Sequence, residues 1–202
     1  IMPYINVMDN SAFEMYKQGR PMYDTSKLIP LAEKIKADYV VMTDYPGEHY
    51  MNTVDKAIEM SKDLRNAGIG TFFVPQGEER DLAQLIDAFD WASEAPEVDY
   101  IGVSILAVPL AYGVEKNNKL QRFLSRWKFM RLLDDEGILE KIAYNGKKLH
   151  FLGMVDGPNE IDLVRQYLPY INSWDSSAAV WAGLCNIYFD NSPSGLIAGK
   201  NE

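Results

Sequence analysis

Three aspartates sit where a short apolar run stops. Ile5-Asn6-Val7-Met8 precedes Asp9, Tyr39-Val40-Val41-Met42-Thr43 precedes Asp44, and Ile171-Asn172-Ser173-Trp174 precedes Asp175. Runs of this length and composition read as strands. When parallel strands end on one face, the residues just past their C-termini share an opening. Carboxylates gathered there can serve as general acid, general base or nucleophile, and burial with like-charge crowding separates their pKa values enough to divide those roles. An aspartate after a strand is also an ordinary turn or helix-cap residue. It is the recurrence of the pattern that points to chemistry.

The elements that must position these residues alternate strand with helix. Helix spacing over 26–37 (Leu28, Leu31, Ile35, with Ser26 as cap) follows Asp9, and a longer amphipathic stretch over 48–67 follows Asp44, stopped by Gly68. A strand over 70–74 leads to a helix over 79–93, and a strand over 100–105 leads to helices over 116–133 and 138–144. A strand over 149–154, a helix over 159–167, the strand ending at Asp175 and a helix over 178–189 complete the series. About six strand–helix units stand against the eight of a full barrel. The expectation is therefore an α/β chain with a (β/α)8 TIM-barrel-like fold, incomplete or truncated at the N-terminus, forming one domain over 1–202. An open doubly wound sheet shares the same alternation and is the alternative. No G-x-G-x-x-G or P-loop sequence follows any strand, which disfavours a nucleotide-cofactor fold.

Composition narrows the classes. The 202 residues are 47% hydrophobic, enough for one core. A net charge of −9 does not signal wholesale nucleic-acid binding, although a local basic patch stays open. A single cysteine, Cys185, supports neither a disulfide framework nor a multi-cysteine zinc cluster and fits a reducing, cytoplasmic compartment. No apolar run is long enough to span a bilayer, and no signal peptide is evident. The chain starts at Ile1 and enters a strand almost at once, which suggests a cut end. The tail over 191–202, rich in Ser, Gly and Asn, reads as loose.

Four segments resemble the motifs of the tRNA-guanine transglycosylase superfamily. Asp9-Asn10-Ser11-Ala12-Phe13-Glu14 resembles the family's Asp-Ser-Gly-Gly-Phe/Tyr-Gln, and Val74-Pro75-Gln76-Gly77 is similar to its Val-Gln-Gly. Phe151-Leu152-Gly153-Met154, with Gly157-Pro158 after it, resembles Leu-Met-Gly-Val-Gly-x-Pro. Trp174-Asp175-Ser176 resembles Phe-Asp-Cys/Ser, whose aspartate is the family's nucleophile. The order is the family order. The departures are a missing zinc-cysteine motif, a missing Pro-Thr-Arg after the nucleophile, Ser11-Ala12 in place of Gly-Gly, and Gly102-Val103-Ser104-Ile105-Leu106 as the only trace of Gly-Gly-Leu. They make the chain most similar to the divergent bacterial and phage relatives that insert 7-deazaguanines into DNA. A phage-encoded protein would work in the host cytoplasm.

The resemblance implies base exchange through a covalent aspartyl–sugar intermediate. Asp175 would be the nucleophile and Asp9 the general acid/base. Asp44 would bind the Watson–Crick edge of the purine, and Gln76 would donate to its carbonyl. Ser104 and its neighbours would offer backbone N–H groups, Phe13 and Leu152 would sandwich the ring, and Gly153 would be a further substrate-binding residue. The partners implied are a nucleic acid, DNA ahead of tRNA, and a free 7-deazaguanine base. No cofactor, metal or membrane is implied, and a homodimer stays open. The stretch from 116 to 131 carries Lys116, Lys119, Arg122, Arg126, Lys128 and Arg131 with no acidic residue. Such a run is commonly a solvated helix face. In an acidic chain it is also the natural phosphate-contacting element, with Lys116, Lys119, Arg122 and Arg126 closest to the expected barrel mouth. The competing readings are a metal-assisted lyase or hydrolase on the same barrel, using Asp9, Asp44 and Asp175 with His49, and a non-catalytic purine- or nucleic-acid-binding subunit. His49 otherwise reads as an exposed helix-start residue and His150 as a structural residue in a strand.

Overall fold

A computed structural model describes residues 5–115, 118–154 and 158–186. Six strands, β1 (Val7–Met8), β2 (Tyr39–Val41), β3 (Gly70–Phe73), β4 (Tyr100–Ser104), β5 (Lys148–Leu152) and β6 (Ile171–Trp174), form one sheet in the order β1-β2-β3-β4-β5-β6. Every pairing is parallel. A doubly wound sheet reverses its strand order at a switch point. Here the order never reverses, as in a barrel whose strands are laid down in sequence. The fold is an incomplete TIM-barrel-like half-barrel.

Residues rich in β-branched and aromatic side chains form these strands, and period-two alternation assigns each residue a face. Val40, Met42, Phe73, Ile101, Val103, Leu149 and Phe151 point to the helices and form the main core. Val41, Phe72, Val74 and Tyr100 point to the concave side, joined by Tyr39 and Leu152. The Phe72 and Tyr100 rings stack at 5.4 Å. Gly102 is required on this inner face. A Cβ there would lie 2.7 Å from Leu152 Cδ1 and 2.9 Å from Phe72 Cε1, too close for either to stay in place.

The helices are α1 (Ala12–Gln18), α2 (Thr25–Ile35), α3 (Tyr50–Asn66), α4 (Leu82–Glu94), α5 (Ala107–Ala111), α6 (Lys119–Asp135), α7 (Ile138–Tyr144), α8 (Pro158–Leu163) and α9 (Ala178–Leu184), with a 3-10 turn at Arg165–Tyr167. Side-chain caps fix several starts. Asp81 accepts from the Gln84 N–H at 3.1 Å and Asn118 from the Gln121 N–H at 3.1 Å. The short helices α1 and α5 are absent from the sequence reading. The last helix ends at Leu184 rather than running on to residue 189: Cys185 is its C-cap and Asn186 lies beyond it, and 187–189 lie outside the described residues. Among the described residues no helix is long and apolar enough to cross a membrane.

Arg126 on α6 has no exposed surface. It pairs with Glu160 on α8, which is equally buried. Its Nη1 donates to Val103 O at 3.3 Å and to Leu152 O at 2.7 Å, and its Nη2 donates to Gly153 O at 3.4 Å. One side chain thus ties the C-terminal ends of β4 and β5 together. Removing one partner of a buried pair leaves an uncompensated charge. Arg126→Met is therefore expected to cost about 3–5 kcal/mol in urea unfolding, with part of that loss recovered in Arg126→Met/Glu160→Leu. A single variant within about 1 kcal/mol of wild type, the range of exposed pairs, would contradict this account.

Candidate functional site

The strand C-termini enclose a cleft of about 380 Å³. Asp9 follows β1, Asp44 lies beyond β2, Gln76 lies beyond β3, Ser104 ends β4, Leu152 and Gly153 end β5, and Asp175 follows β6; all of them line the cleft. Phe13 and Glu14, on α1, complete one wall. The structure therefore brings together Asp9, Asp44 and Asp175 with Phe13, Gln76, Ser104, Leu152 and Gly153. Asp9 and Asp175 stand beyond opposite edge strands of the sheet, yet each lies within the other's electrostatic reach. The sheet must curve for that to hold.

The entry loop is built by local side-chain bonds. Asp9 Oδ1 accepts from the Ser11 N–H at 3.0 Å, and Asn10 Oδ1 accepts from the Ala12 N–H at 2.9 Å. These turns, each spanning two residues, suit Asp and Asn. They hold Ser11 at a φ of 59°, the left-handed region. Ser11 occupies a position where the resembled motif has glycine, and it keeps the conformation that glycine adopts freely at a cost of roughly 1–2 kcal/mol.

Asp44 is buried, with Oδ1 accepting from Asn10 Nδ2 at 2.6 Å and Oδ2 accepting from Gln76 Nε2 at 2.5 Å. Asn10 Nδ2 also donates to Met42 O at 2.8 Å, so the first loop clamps the end of the second strand. Burial pushes the Asp44 carboxyl from the ordinary 3.8 to about 7, against the lowering effect of its two amide partners. Asp9 is raised too, chiefly by burial, with the charges of Glu14 and Asp175 adding to the effect. Asp175 moves the other way. Burial would raise it, but hydrogen bonds from His150 and the Gly153 N–H, with the charges of His150 and Arg126, bring it below the ordinary value. One cleft thus holds a carboxyl drawn below its ordinary value and two pushed above theirs.

Several expectations need correction. Arg126 contacts no phosphate, because it is wholly buried against Glu160 and the strand-end carbonyls. Arg122 is half-buried and donates to Ile105 O at 3.1 Å. Lys116 and the side chain of Lys119 lie outside the described residues. Gln76 spends Nε2 on Asp44, and its Oε1 is buried without a hydrogen-bond partner. Only its second N–H remains for a ligand carbonyl. Ser104 Oγ accepts from the Leu106 and Ala107 N–H groups at 3.0 and 3.2 Å, so those donors are already committed to starting α5. His49 is exposed and caps α3 by accepting from the Met51 N–H at 3.3 Å, outside the cleft lining.

The sequence reading missed the roles of Asn10 and His150. Asn10 stands beside Asp9 in the first motif. His150 shares its strand face with Leu152 two residues on, which was the available signal. Among the described residues, no three His, Cys, Asp or Glu side chains are arranged to hold a metal ion.

No family model matches the chain, and no curated protein matches it. Similar solved structures include a protein described as a sugar phosphate isomerase/epimerase from Anabaena variabilis, at 12% identity and a TM-score of 0.49. The match covers 88% of this chain and 66% of that one, so the chain spans just under two thirds of its length. RipC from Yersinia pestis matches at 11% identity and a TM-score of 0.49, over 95% of this chain and 85% of that one. Citrate synthase SbnG matches at 12% and 0.45, over 90% of each. Likeness at this level says nothing of chemistry.

The folded pKa of Asp44 lies above its unfolded value, so the native state holds a proton that the unfolded chain releases between the two. Asp44 therefore lowers stability progressively as pH rises from about 4 to about 7, by roughly 4 kcal/mol in all, and has no such effect below that interval. Asp44→Asn, with the Gln76 amide turned to accept from it, is expected to remove this slope. Urea unfolding of both proteins across the interval checks this, and parallel stability curves would contradict it.

Proposed function

We propose that this chain is a guanine transglycosylase, replacing guanine in a nucleic acid, DNA ahead of tRNA, with a 7-deazaguanine. The observation that carries the reading is the convergence of Asp9, Asp44 and Asp175 on one cleft, with Asp9 and Asp175 at motif positions where the resemblance assigns them roles. The target nucleotide must leave its stack to enter such a cleft.

An electron pair on Asp175 forms a bond to C1′ while the bond from C1′ to guanine N9 breaks. The bonding pair leaves with guanine, which takes a proton from Asp9. The incoming 7-deazaguanine gives its N9 proton to Asp9 and bonds to C1′, and the electron pair of the ester bond returns to Asp175. Two displacements retain configuration. The tuning supports this division, since a nucleophile needs the ionised form and an acid/base works best near the operating pH. Asp44 accepts from the N1–H and amino group of guanine. Phe13 and Leu152 border the ring.

A second reading is a lyase or isomerase that moves a proton beside a carbonyl group on the same half-barrel. The raised Asp9 and Asp44 carboxyls favour it, because both suit general-base work. It requires no attack by Asp175.

The two readings part at one substitution. Asp175→Asn keeps shape but lacks the attacking anion. Exchange of labelled guanine should fall on the order of 10⁴-fold or more, with binding of free 7-deazaguanine retained. Asp44→Asn should lose base binding first. An Asp175→Asn protein that exchanged guanine near the wild-type rate would remove the nucleophile and favour the proton-transfer reading.

A further inference from the structure

β6 carries one extra residue against β5. Leu149 pairs with Ile171, but His150 pairs with Ser173. Asn172 lies between, with its Oδ1 accepting from the Leu149 N–H at 2.7 Å. Bulges of this kind re-aim side chains and are common beside functional sites. Here the offset sets Ser173 across from His150 on the inner face, with Asp175 two residues further on. The imidazole is held at both nitrogens. Nδ1 lies 2.8 Å from Ser173 Oγ, and Nε2 lies 3.1 Å from Asp175 Oδ1. The ring also meets Phe72 edge to face at 5.4 Å, and the side chain is only 13% exposed. The Gly153 N–H reaches the same Oδ1 at 2.9 Å. Both bonds thus fall on one oxygen, and among the described residues Oδ2 takes none.

We propose that His150 is a positioning residue for Asp175: anchored by Ser173 across the bulge, it fixes Oδ1 and leaves Oδ2 as the oxygen that attacks the sugar carbon. The choice of attacking oxygen rests on the transglycosylase reading, whereas the hold of His150 on the carboxylate does not. The Asp175 carboxylate only accepts, so Nε2 must donate to it; in a neutral ring Nδ1 then accepts from the Ser173 hydroxyl, which anchors the imidazole from the other side. As Oδ2 bonds to C1′ and guanine departs, Oδ1 becomes the carbonyl oxygen of the ester. The His150 and Gly153 donors stay on it and receive the carboxylate again when the incoming base displaces it. The other charged groups facing Asp175 are Arg126, behind the strand ends, and Asp9, with Glu14 beside it. All remain in the variants below, so a change in Asp175 titration reports on His150.

Three variants test the proposal. His150→Phe keeps the ring against Phe72 and removes both hydrogen bonds. His150→Gln restores a donor where Nε2 stood. Ser173→Ala removes only the anchor, and it carries the test if His150→Phe does not fold. The readouts are kcat and KM for exchange of labelled guanine, and a ¹³C NMR titration of the Asp175 carboxyl in the free protein. His150→Phe should lower kcat on the order of 10²-fold with KM little changed, and should move the Asp175 titration to higher pH. His150→Gln should regain most of both, and Ser173→Ala should show the same changes at smaller size. Wild-type kcat with an unmoved titration in His150→Phe, or in Ser173→Ala where that variant carries the test, would overturn the proposal. A wild-type protein that exchanges no guanine, with the titration shift intact, would overturn the transglycosylase reading and the attack assignment with it, while supporting the hold on Asp175.

Discussion

A guanidinium removed from water costs several kcal/mol unless its N–H groups find acceptors and its charge finds a partner. Arg126 meets most of that constraint with the rim of the half-barrel, its Nη groups finding acceptors while its buried Nε–H has no partner among the described residues. Its acceptors are the penultimate carbonyl of β4, the last carbonyl of β5, the carbonyl of Gly153 and the buried Glu160. The planar fork of donors is rigid, so the relative placement of the β4 and β5 ends follows from its shape. Gly153, at a φ of 68°, turns its carbonyl to Arg126 and its N–H to Asp175. A Cβ at that position would lie 2.8 Å from Ile105 Cγ2, so both the conformation and the space require glycine. The path from a buried cation to the proposed nucleophile is therefore two hydrogen bonds long, through Gly153 alone.

The carboxylates gain their differences from where the strands leave them. Asp44 stands deep among amides that donate to it, yet burial outweighs those bonds. Asp175, at the more open edge of the sheet, has an imidazole, a backbone N–H and the field of Arg126 on its side. Neighbouring groups pushed in opposite directions are the usual basis for assigning acid and base roles. Asn10 ties the first loop to Asp44, because one side chain starts α1 and binds both Asp44 and the residue after β2.

Much of this was legible in the sequence. Alternation of short apolar runs with amphipathic stretches gave the strands and the longer helices, because both periods are local. Motif order placed the cleft residues, since parallel strands laid down in sequence bring their ends to one face. The barrel-like order itself was not legible, because a doubly wound sheet shares the alternation. Arg126 was misread for a physical reason: a basic run on a helix looks solvated, and the acceptors that bury this one guanidinium are backbone carbonyls on other elements. His150 was passed over because its partners, Ser173 and Asp175, come beside it only through a bulge, and no local pattern announces a bulge. Ser11 was read as a departure from glycine, and only its φ shows that it takes a left-handed conformation that glycine adopts freely.

The central claim is that Asp175 carries the sugar during exchange. The most direct measurement is to quench the wild-type protein on a guanine-containing nucleic acid, digest it, and locate the modified peptide by mass spectrometry. The account predicts a nucleic-acid adduct on Asp175 that disappears when 7-deazaguanine is added before the quench. Exchange that proceeds with an adduct on another residue, or with none on any, would contradict it.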